Sequence, residues 1–356
     1  MTHSFDVCAL GLRVRVSFDS AASDAFVERA RRAWVDALAD GDGEADAQVA
    51  VTMADEDRAL ERLSVDVTLA ALAARKGSLV MFHAAGVAAP DGRVVTFVGP
   101  SGRGKTTLTR VLAREYGYVS DETISIAEDL RVFPHRKPLS LVRPGMPKEQ
   151  VPASSLGLRE LPAAPLRLAG LVVLDRVDHD IEPTVERVAL VEVIDELVAQ
   201  LSYLPELDRP LQRLAALAAS VGGVLRLTYS EAATVPPLVQ RIFDGEISES
   251  ADVASRPVLP GEIALDSAIV ASDVVDAIED GESTIVLSDR TVCVLSGIAP
   301  QIWRAAVSGC SRADVVDAVV DRYGAPAEGD ADELVAAAIE HLAVSGLIRR
   351  TSGAKL

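Results

Sequence analysis

The chain is poor in aromatic residues, cysteine and basic charge. Of its 356 residues only 4% are Phe, Trp or Tyr, so its cores must be built from small aliphatic side chains. Its three cysteines, Cys8, Cys293 and Cys310, are scattered and odd in number. That pattern does not suggest a disulfide framework, and the lack of C-x-x-C spacing does not suggest a zinc site. Basic residues are outnumbered, 35 Lys and Arg against 53 Asp and Glu, for a formal net charge of −18. Such a surface repels polyanions, so neither nucleic acid nor an anionic membrane is an expected partner. No apolar run approaches the ~18 residues of a membrane span. The start, Met1-Thr-His-Ser-Phe-Asp6, has neither the basic region nor the apolar core of a secretory signal, and a cytoplasmic location is expected. What remains is an ordinary globular composition, 49% hydrophobic and 25% charged. Its length suits about two or three domains.

The most informative stretch is Gly99-Pro-Ser-Gly-Arg-Gly-Lys-Thr-Thr107. It fits G-x-x-x-x-G-K-[ST], a phosphate-binding loop whose glycines let backbone N–H groups turn inward around an anion. The candidate nucleotide contacts are Gly99, Ser101, Gly102, Gly104, Lys105, Thr106 and Thr107. Lys105 is placed to reach the β- and γ-phosphates and Thr106 to hold Mg²⁺. Arg93–Val98 before the loop reads as a strand, and Thr107–Arg114 after it as a helix whose dipole favours phosphate. No guanine-specifying N-K-x-D motif is present, so ATP with Mg²⁺ is the expected cofactor pair.

Two stretches compete for the carboxylate that positions the metal and takes a proton. One is Asp121-Glu122, between two short apolar strands; the other is Asp175, ending Leu171-Val-Val-Leu174. His83 lies in the apolar run Leu79–Ala89 and reads equally as a core histidine or an active-site group. The loop His135-Arg136-Lys137 could clamp phosphates or an acidic partner, or be a solvated turn.

The expected architecture is α/β with a second module. Residues 1–243 form the nucleotide domain, 244–255 an acidic linker, and 256–356 a separate α+β module. Within that module Thr284–Leu287 and Thr291–Leu295 read as strands, followed by three helices in a winged-helix-like order. It carries 8 Lys and Arg against 16 Asp and Glu, a balance of −8, which suits a peptide edge-strand better than a DNA duplex.

Residues 79–126 resemble the HPr kinase-like P-loop family, particularly members found in lasso-peptide and other RiPP gene clusters. The likeness is carried by Phe82-His-Ala-Ala-Gly-Val87, Asp91-Gly92, Gly99–Thr107 and Tyr118-Val-Ser-Asp-Glu122 in order. It implies that His83 is an active-site histidine, Asp121 the general base, and Lys105, Thr106 and Glu122 the ATP and metal ligands. Glu122 stands where the family usually has a second Asp, and the glycine-rich signature of true HPr kinases is missing, so HPr is not the expected substrate. Residues 256–350 resemble PqqD-like RiPP recognition elements, through Ser296–Trp303, Val315–Tyr323 and Ala338–Ile348. That likeness implies a precursor leader peptide bound along Val292 and Val294 of the third strand and Leu334, Ala338 and His341 of the third helix.

The combined expectation is an ATP-dependent kinase of RiPP biosynthesis that captures a precursor peptide and phosphorylates its Ser or Thr. A modifying enzyme of the same cluster is an expected partner, and self-association a further one. The rival reading is a scaffold that presents the precursor and binds nucleotide without transferring phosphate. A nucleotide-responsive DNA regulator is a third, disfavoured by the acidic charge.

Overall fold

The computed structural model describes residues 3–53, 56–141, 148–247, 255–258 and 268–351. Most of the acidic linker expected at 244–255 lies outside them. Two compact units divide the chain. The first takes in Met1–Val188, Asp195–Leu207 and Ser220–Glu249; the second takes in Ala189–Ile194, Asp208–Ala219 and Ser250–Leu356. This grouping sets 189–194 and 208–219 with the C-terminal module, which a boundary drawn from composition does not do. No described helix is long and apolar enough to cross a membrane.

The first unit opens with a hairpin, β1 (Ser4–Ala9) and β2 (Leu12–Phe18). Leu10 and Gly11 between them both have positive φ, the two-residue turn whose twist matches a hairpin. Strict alternation along β2 buries Leu12, Val14, Val16 and Phe18. Helix α1 (Asp24–Ala33) is capped by Ser23, whose side chain accepts from the Phe26 N–H. It ends at Trp34, after which the chain tightens into a 3₁₀ turn, Val35–Ala37. Strand β3 (Ala47–Val51) then runs parallel to β2, and helix α2 (Glu56–Arg75) covers this sheet. Trp34, Phe26, Leu63 and Val67 fill the core between them.

The nucleotide-type core follows. The apolar run Leu79–Ala89 is two strands, not one. β4 (Val80–Phe82) and β5 (Ala84–Ala88) belong to different sheets, and the change falls at His83. β6 (Arg93–Val98) pairs antiparallel with β5 across the Pro90-Asp91-Gly92 turn, as its residues predict. Helix α3 (Lys105–Leu112) and β7 (Gly117–Ser120) come next, then short strands β8 (Ile124–Ile126), β9 (Val132–Phe133), β10 (Leu139–Leu141) and β11 (Glu149–Val151). β12 (Arg167–Arg176) is central and parallel to β6. β13 (Thr184–Val188), helices α4 (Leu190–Ala199) and α5 (Pro210–Ser220), β14 (Val224–Tyr229) and α6 (Pro236–Phe243) follow. The six-stranded sheet has the order β13-β14-β12-β6-β5-β7, making a mixed α/β fold. Val172, Phe97 and Leu227 are fully or almost fully buried in it.

The second unit holds β15 (Arg256–Pro257), β16 (Ile269–Ala271), β17 (Asp276–Asp280), β18 (Ser283–Ser288) and β19 (Thr291–Leu295). Helices α7 (Ala299–Ser308), α8 (Arg312–Tyr323) and α9 (Ala331–Val344) and strand β20 (Ile348–Arg350) complete it. Ser311 and Asp314 form a reciprocal capping box at the start of α8. One sheet runs β15-β17-β18-β19, so β19 lies at its edge; β16 pairs with β20 apart from it. Trp303, Ile302, Val315 and Ile339 form the core.

Strand β17 carries two buried aspartates that end on helix N-termini. Asp276 accepts from the backbone N–H of Gln212 at 2.9 Å and from its Nε2 at 2.8 Å, in the first turn of α5. Asp280 accepts from the Val191 N–H at 2.9 Å, in the first turn of α4. Each carboxylate satisfies a helix donor that otherwise has no partner. Asp276→Ala is expected to lower the stability of the second unit by about 1–3 kcal/mol. The chain's two tryptophans fall one to each unit, Trp34 and Trp303. Urea unfolding followed by Trp303 fluorescence in a Trp34→Phe background reads the change, and an unmoved midpoint refutes the capping role.

Candidate functional site

The site forms where three strand ends meet. β5 runs antiparallel to both β6 and β7. The start of β5 therefore shares one sheet edge with the ends of β6 and β7. His83 precedes β5, the glycine loop follows β6, and Asp121-Glu122 follow β7. Together they line a cleft of about 630 Å³, a volume that suits a small-molecule ligand.

Ser101, Gly102, Gly104, Lys105, Thr106 and Thr107 form one wall of the cleft; Gly99 turns the chain behind it. Gly102 and Gly104 have φ of +89° and +84°, where a side chain is strained. A Cβ on Gly99 would stand 3.2 Å from Leu174 Cβ, and one on Gly104 3.1 Å from the Tyr229 hydroxyl. Tyr229 Oη donates to the Arg103 carbonyl at 2.8 Å and pins the loop. Gly104 caps α3 without a side-chain hydrogen bond, leaving the first-turn N–H groups to an anion. Lys105 is buried, and its ammonium donates to the Gly99 and Pro100 carbonyls at 2.5 and 3.2 Å. Burial pushes its pKa down, against a weaker upward pull from Asp121.

The acid pair sits in a turn tied by Ser120, whose Oγ accepts from the backbone N–H groups of Glu122 and Thr123. Tyr118 is fully buried and donates to Asp121 Oδ1 at 3.0 Å. Burial and Asp121 push the phenol well above its ordinary pKa, so it remains a donor. Lys137 approaches from the far side, 2.9 Å from Glu122 Oε2 and 3.9 Å from Asp121 Oδ1.

His83 is half-buried and faces the cleft, so it is not a core histidine. Its N–H donates to the Gln200 carbonyl at 2.8 Å, and the Ala84 N–H donates to the Glu122 carbonyl at 3.0 Å. Burial lowers its pKa first, and the Lys105 and Lys137 charges lower it further against Asp121. The ring is thus held neutral beside the acids.

Asp175 does not line the cleft; it is half-exposed, 3.6 Å from Arg103 Nη1, and the neighbouring Arg176 lines the cleft instead. The basic loop is split three ways. Only Lys137 faces the cleft. Arg136 reaches the Asp36 carbonyl at 3.4 Å. His135 is no phosphate clamp: it is wholly buried, with Nε2 2.8 Å from Thr68 Oγ1. Thr68 spends its one hydroxyl hydrogen on the Ser64 carbonyl at 2.8 Å, so His135 Nε2 carries the proton and donates. Nδ1 is left bare, buried and without a partner. The opposite wall of the cleft, Glu61, Ser64 and Val65 of α2 with Ser140 and Lys148, carries no motif and was not foreseen.

The donor set fits a nucleotide with Mg²⁺. Thr106 Oγ1 and the Glu122 carboxylate line the same cleft and are hard oxygen ligands. Among the described residues no group of three or more His, Cys, Asp or Glu could hold a metal ion alone.

In the second unit, Val294 on β19 is 40% exposed and Val292 half-buried. Leu334 on α9 is 51% exposed; His341 is exposed and Ala338 half-buried, at spacings that share one helix face.

No family model matches the chain, and no curated protein matches it. A weak structural neighbour is the Hpr(Ser) kinase/phosphatase from Coxiella burnetii, at 13% identity and a TM-score of 0.27, covering 47% of this chain and 95% of that chain. At that TM-score the likeness carries no weight for fold or function.

Burial lowers the His135 pKa from 6.5 to about 4. Between those values the unfolded chain binds the proton and the folded chain does not. Stability is therefore full above pH 6.5 and falls as pH drops toward 4, by roughly 3 kcal/mol from this residue. His83 adds to the loss with the same sign. Chemical denaturation from pH 7 to 5 should show this slope in the first unit, and His135→Gln should flatten it. A slope unchanged in that variant refutes the assignment.

Proposed function

We propose that the first unit binds ATP with Mg²⁺ in the cleft and transfers the γ-phosphoryl to a Ser or Thr hydroxyl of a ribosomally made precursor peptide. The observation that carries this reading is the convergence of the glycine loop, His83 and Asp121-Glu122 on one sheet edge. The loop amides and Lys105 bind and orient the phosphates. Asp121 accepts the proton of the attacking hydroxyl as the oxygen–phosphorus bond forms, and Tyr118, held to Oδ1, keeps that carboxylate oriented. Thr106 and Glu122 would hold Mg²⁺, which would supply charge neutralisation at the phosphate oxygens when bound. Neutral His83 adds no positive charge and leaves room for a hydrogen bond to phosphate or acceptor.

The second unit, on this reading, captures the leader peptide as an added strand. β19 pairs with β18 and forms the edge of its sheet, and Val294 offers an exposed apolar contact. Leu334, Ala338 and His341 of α9 supply side-chain contacts. Capture of the leader raises the local concentration of the core peptide, so the cleft need not bind it tightly. The acidic surface disfavours a DNA role. The scaffold reading is favoured by one observation, the Glu122 carboxylate engaged by Lys137 rather than free for a metal.

The two readings separate in one assay. The protein is incubated with ATP, Mg²⁺ and the neighbouring precursor peptide, and the peptide mass is read. A phosphate-sized gain, slowed by roughly 10²–10⁴-fold in Asp121→Asn, is the expected result. Leader binding with no mass gain, unaffected by Lys105→Ala, sinks the kinase in favour of the scaffold. Val294→Asp is expected to weaken leader binding about tenfold, the loss of one apolar contact, by fluorescence anisotropy of a labelled leader. Unchanged affinity removes β19 from the peptide site.

A further inference from the structure

The ammonium of Lys137 sits between the two carboxylates of the acid pair. It lies 2.9 Å from Glu122 Oε2 and 3.9 Å from Asp121 Oδ1. The ammonium and Asp121 are sheltered, with side chains 9% and 7% exposed, while Glu122 on the other side is 34% exposed. The lysine is also held from behind. It precedes Pro138, which favours an extended backbone, and the chain then enters β10, paired with β11. Asp121 is buried and accepts one hydrogen bond, from Tyr118, so the ammonium shared with Glu122 offsets the charge that this bond leaves uncompensated.

We propose that Lys137 is the resident counter-ion of Asp121 and Glu122, occupying the place of a divalent cation, so that the acid pair admits a metal only together with a nucleotide. This rests on the nucleotide reading of the cleft. A free divalent ion would meet two carboxylates and the Thr106 hydroxyl and would have to expel an ammonium. His83 and Glu61 line the same cleft, yet among the described residues no group of three or more His, Cys, Asp or Glu is placed to hold a metal ion. A metal arriving on a triphosphate brings its own oxygen ligands, and the same phosphates accept the displaced ammonium. Lys105 is parked on the Gly99 and Pro100 carbonyls and Lys148 on Glu61, so all three cleft lysines have partners inside the protein. Metal and nucleotide affinities are then coupled, each raising the other. Lys137 acts as a positioning residue through the carboxylates.

The test is a Mn²⁺ titration of the full chain without nucleotide or peptide, read by electron paramagnetic resonance. The unaltered protein and Lys137→Arg should bind Mn²⁺ only weakly. Lys137→Met should bind at least tenfold more tightly, and Lys137→Met with Glu122→Gln should lose that gain. Lys137→Gln, which keeps a hydrogen bond but no charge, gives the same reading should methionine disturb folding. Equal affinity in the unaltered protein and both neutral variants, with unfolding curves intact, overturns the proposal. So does a gain that survives Glu122→Gln. Because the titration contains no nucleotide, it can fail while phosphate transfer stands, and it can succeed while transfer fails.

Discussion

Strand β5 runs against both its neighbours, β6 and β7, and the cleft depends on that reversal. With β5 reversed, its start and the ends of the other two share one edge of the sheet. Three segments spread from residue 83 to residue 122 then face a common space. His83 marks the point where the chain leaves one sheet and enters another. Its own N–H leaves the apolar run to bond Gln200, more than a hundred residues later. The glycines of the loop answer to the same crowding, since a Cβ at Gly99 or Gly104 would press on Leu174 or Tyr229 at 3.2 and 3.1 Å.

The acid pair and the lysines of the cleft are partnered before any ligand is considered. Asp121 and Glu122 face Lys137, and Lys105 is turned onto backbone carbonyls. His83 stays neutral because it is part-buried and two lysines stand near it. An arriving polyanion therefore exchanges partners rather than creating a charged interior. Exchange is less costly than burying new charge, because the desolvation of each group has already been met in folding.

Much of the fold can be read from residues close in sequence. The hairpin at Pro90-Asp91-Gly92, the phosphate loop with its flanking strand and helix, and the capping box of Ser311 and Asp314 are local signals, and each appears in the structure. The break at His83 was not legible, because Leu79–Ala89 is apolar throughout and periodicity does not report a change of sheet. Nor was the division of His135, Arg136 and Lys137 among a buried network, a carbonyl and the acid pair. Three adjacent basic residues look alike until tertiary packing assigns each a surrounding. The α2 wall was invisible for the same reason: Glu61, Ser64 and Val65 look like ordinary helix residues, and only the packing of α2 brings them to the cleft. Strand β17 also escaped notice, since its Asp276 and Asp280 look like loop residues until helix N-termini are there to receive them.

The edge of β19 has a consequence for the molecule among its own copies. Among the described residues no strand pairs with the outer side of β19, and a row of N–H and C=O groups there does not distinguish one extended segment from β19 of a second molecule. Hydrogen bonding alone would make the edge self-adhesive. Discrimination has to come from charge. Each copy carries −18, so two approaching copies repel, whereas a neutral or cationic strand does not. The acidic composition thus works as a filter on an otherwise indiscriminate edge. Its range is that of the Debye length, about 8 Å at physiological salt, so the filter closes or opens with ionic strength.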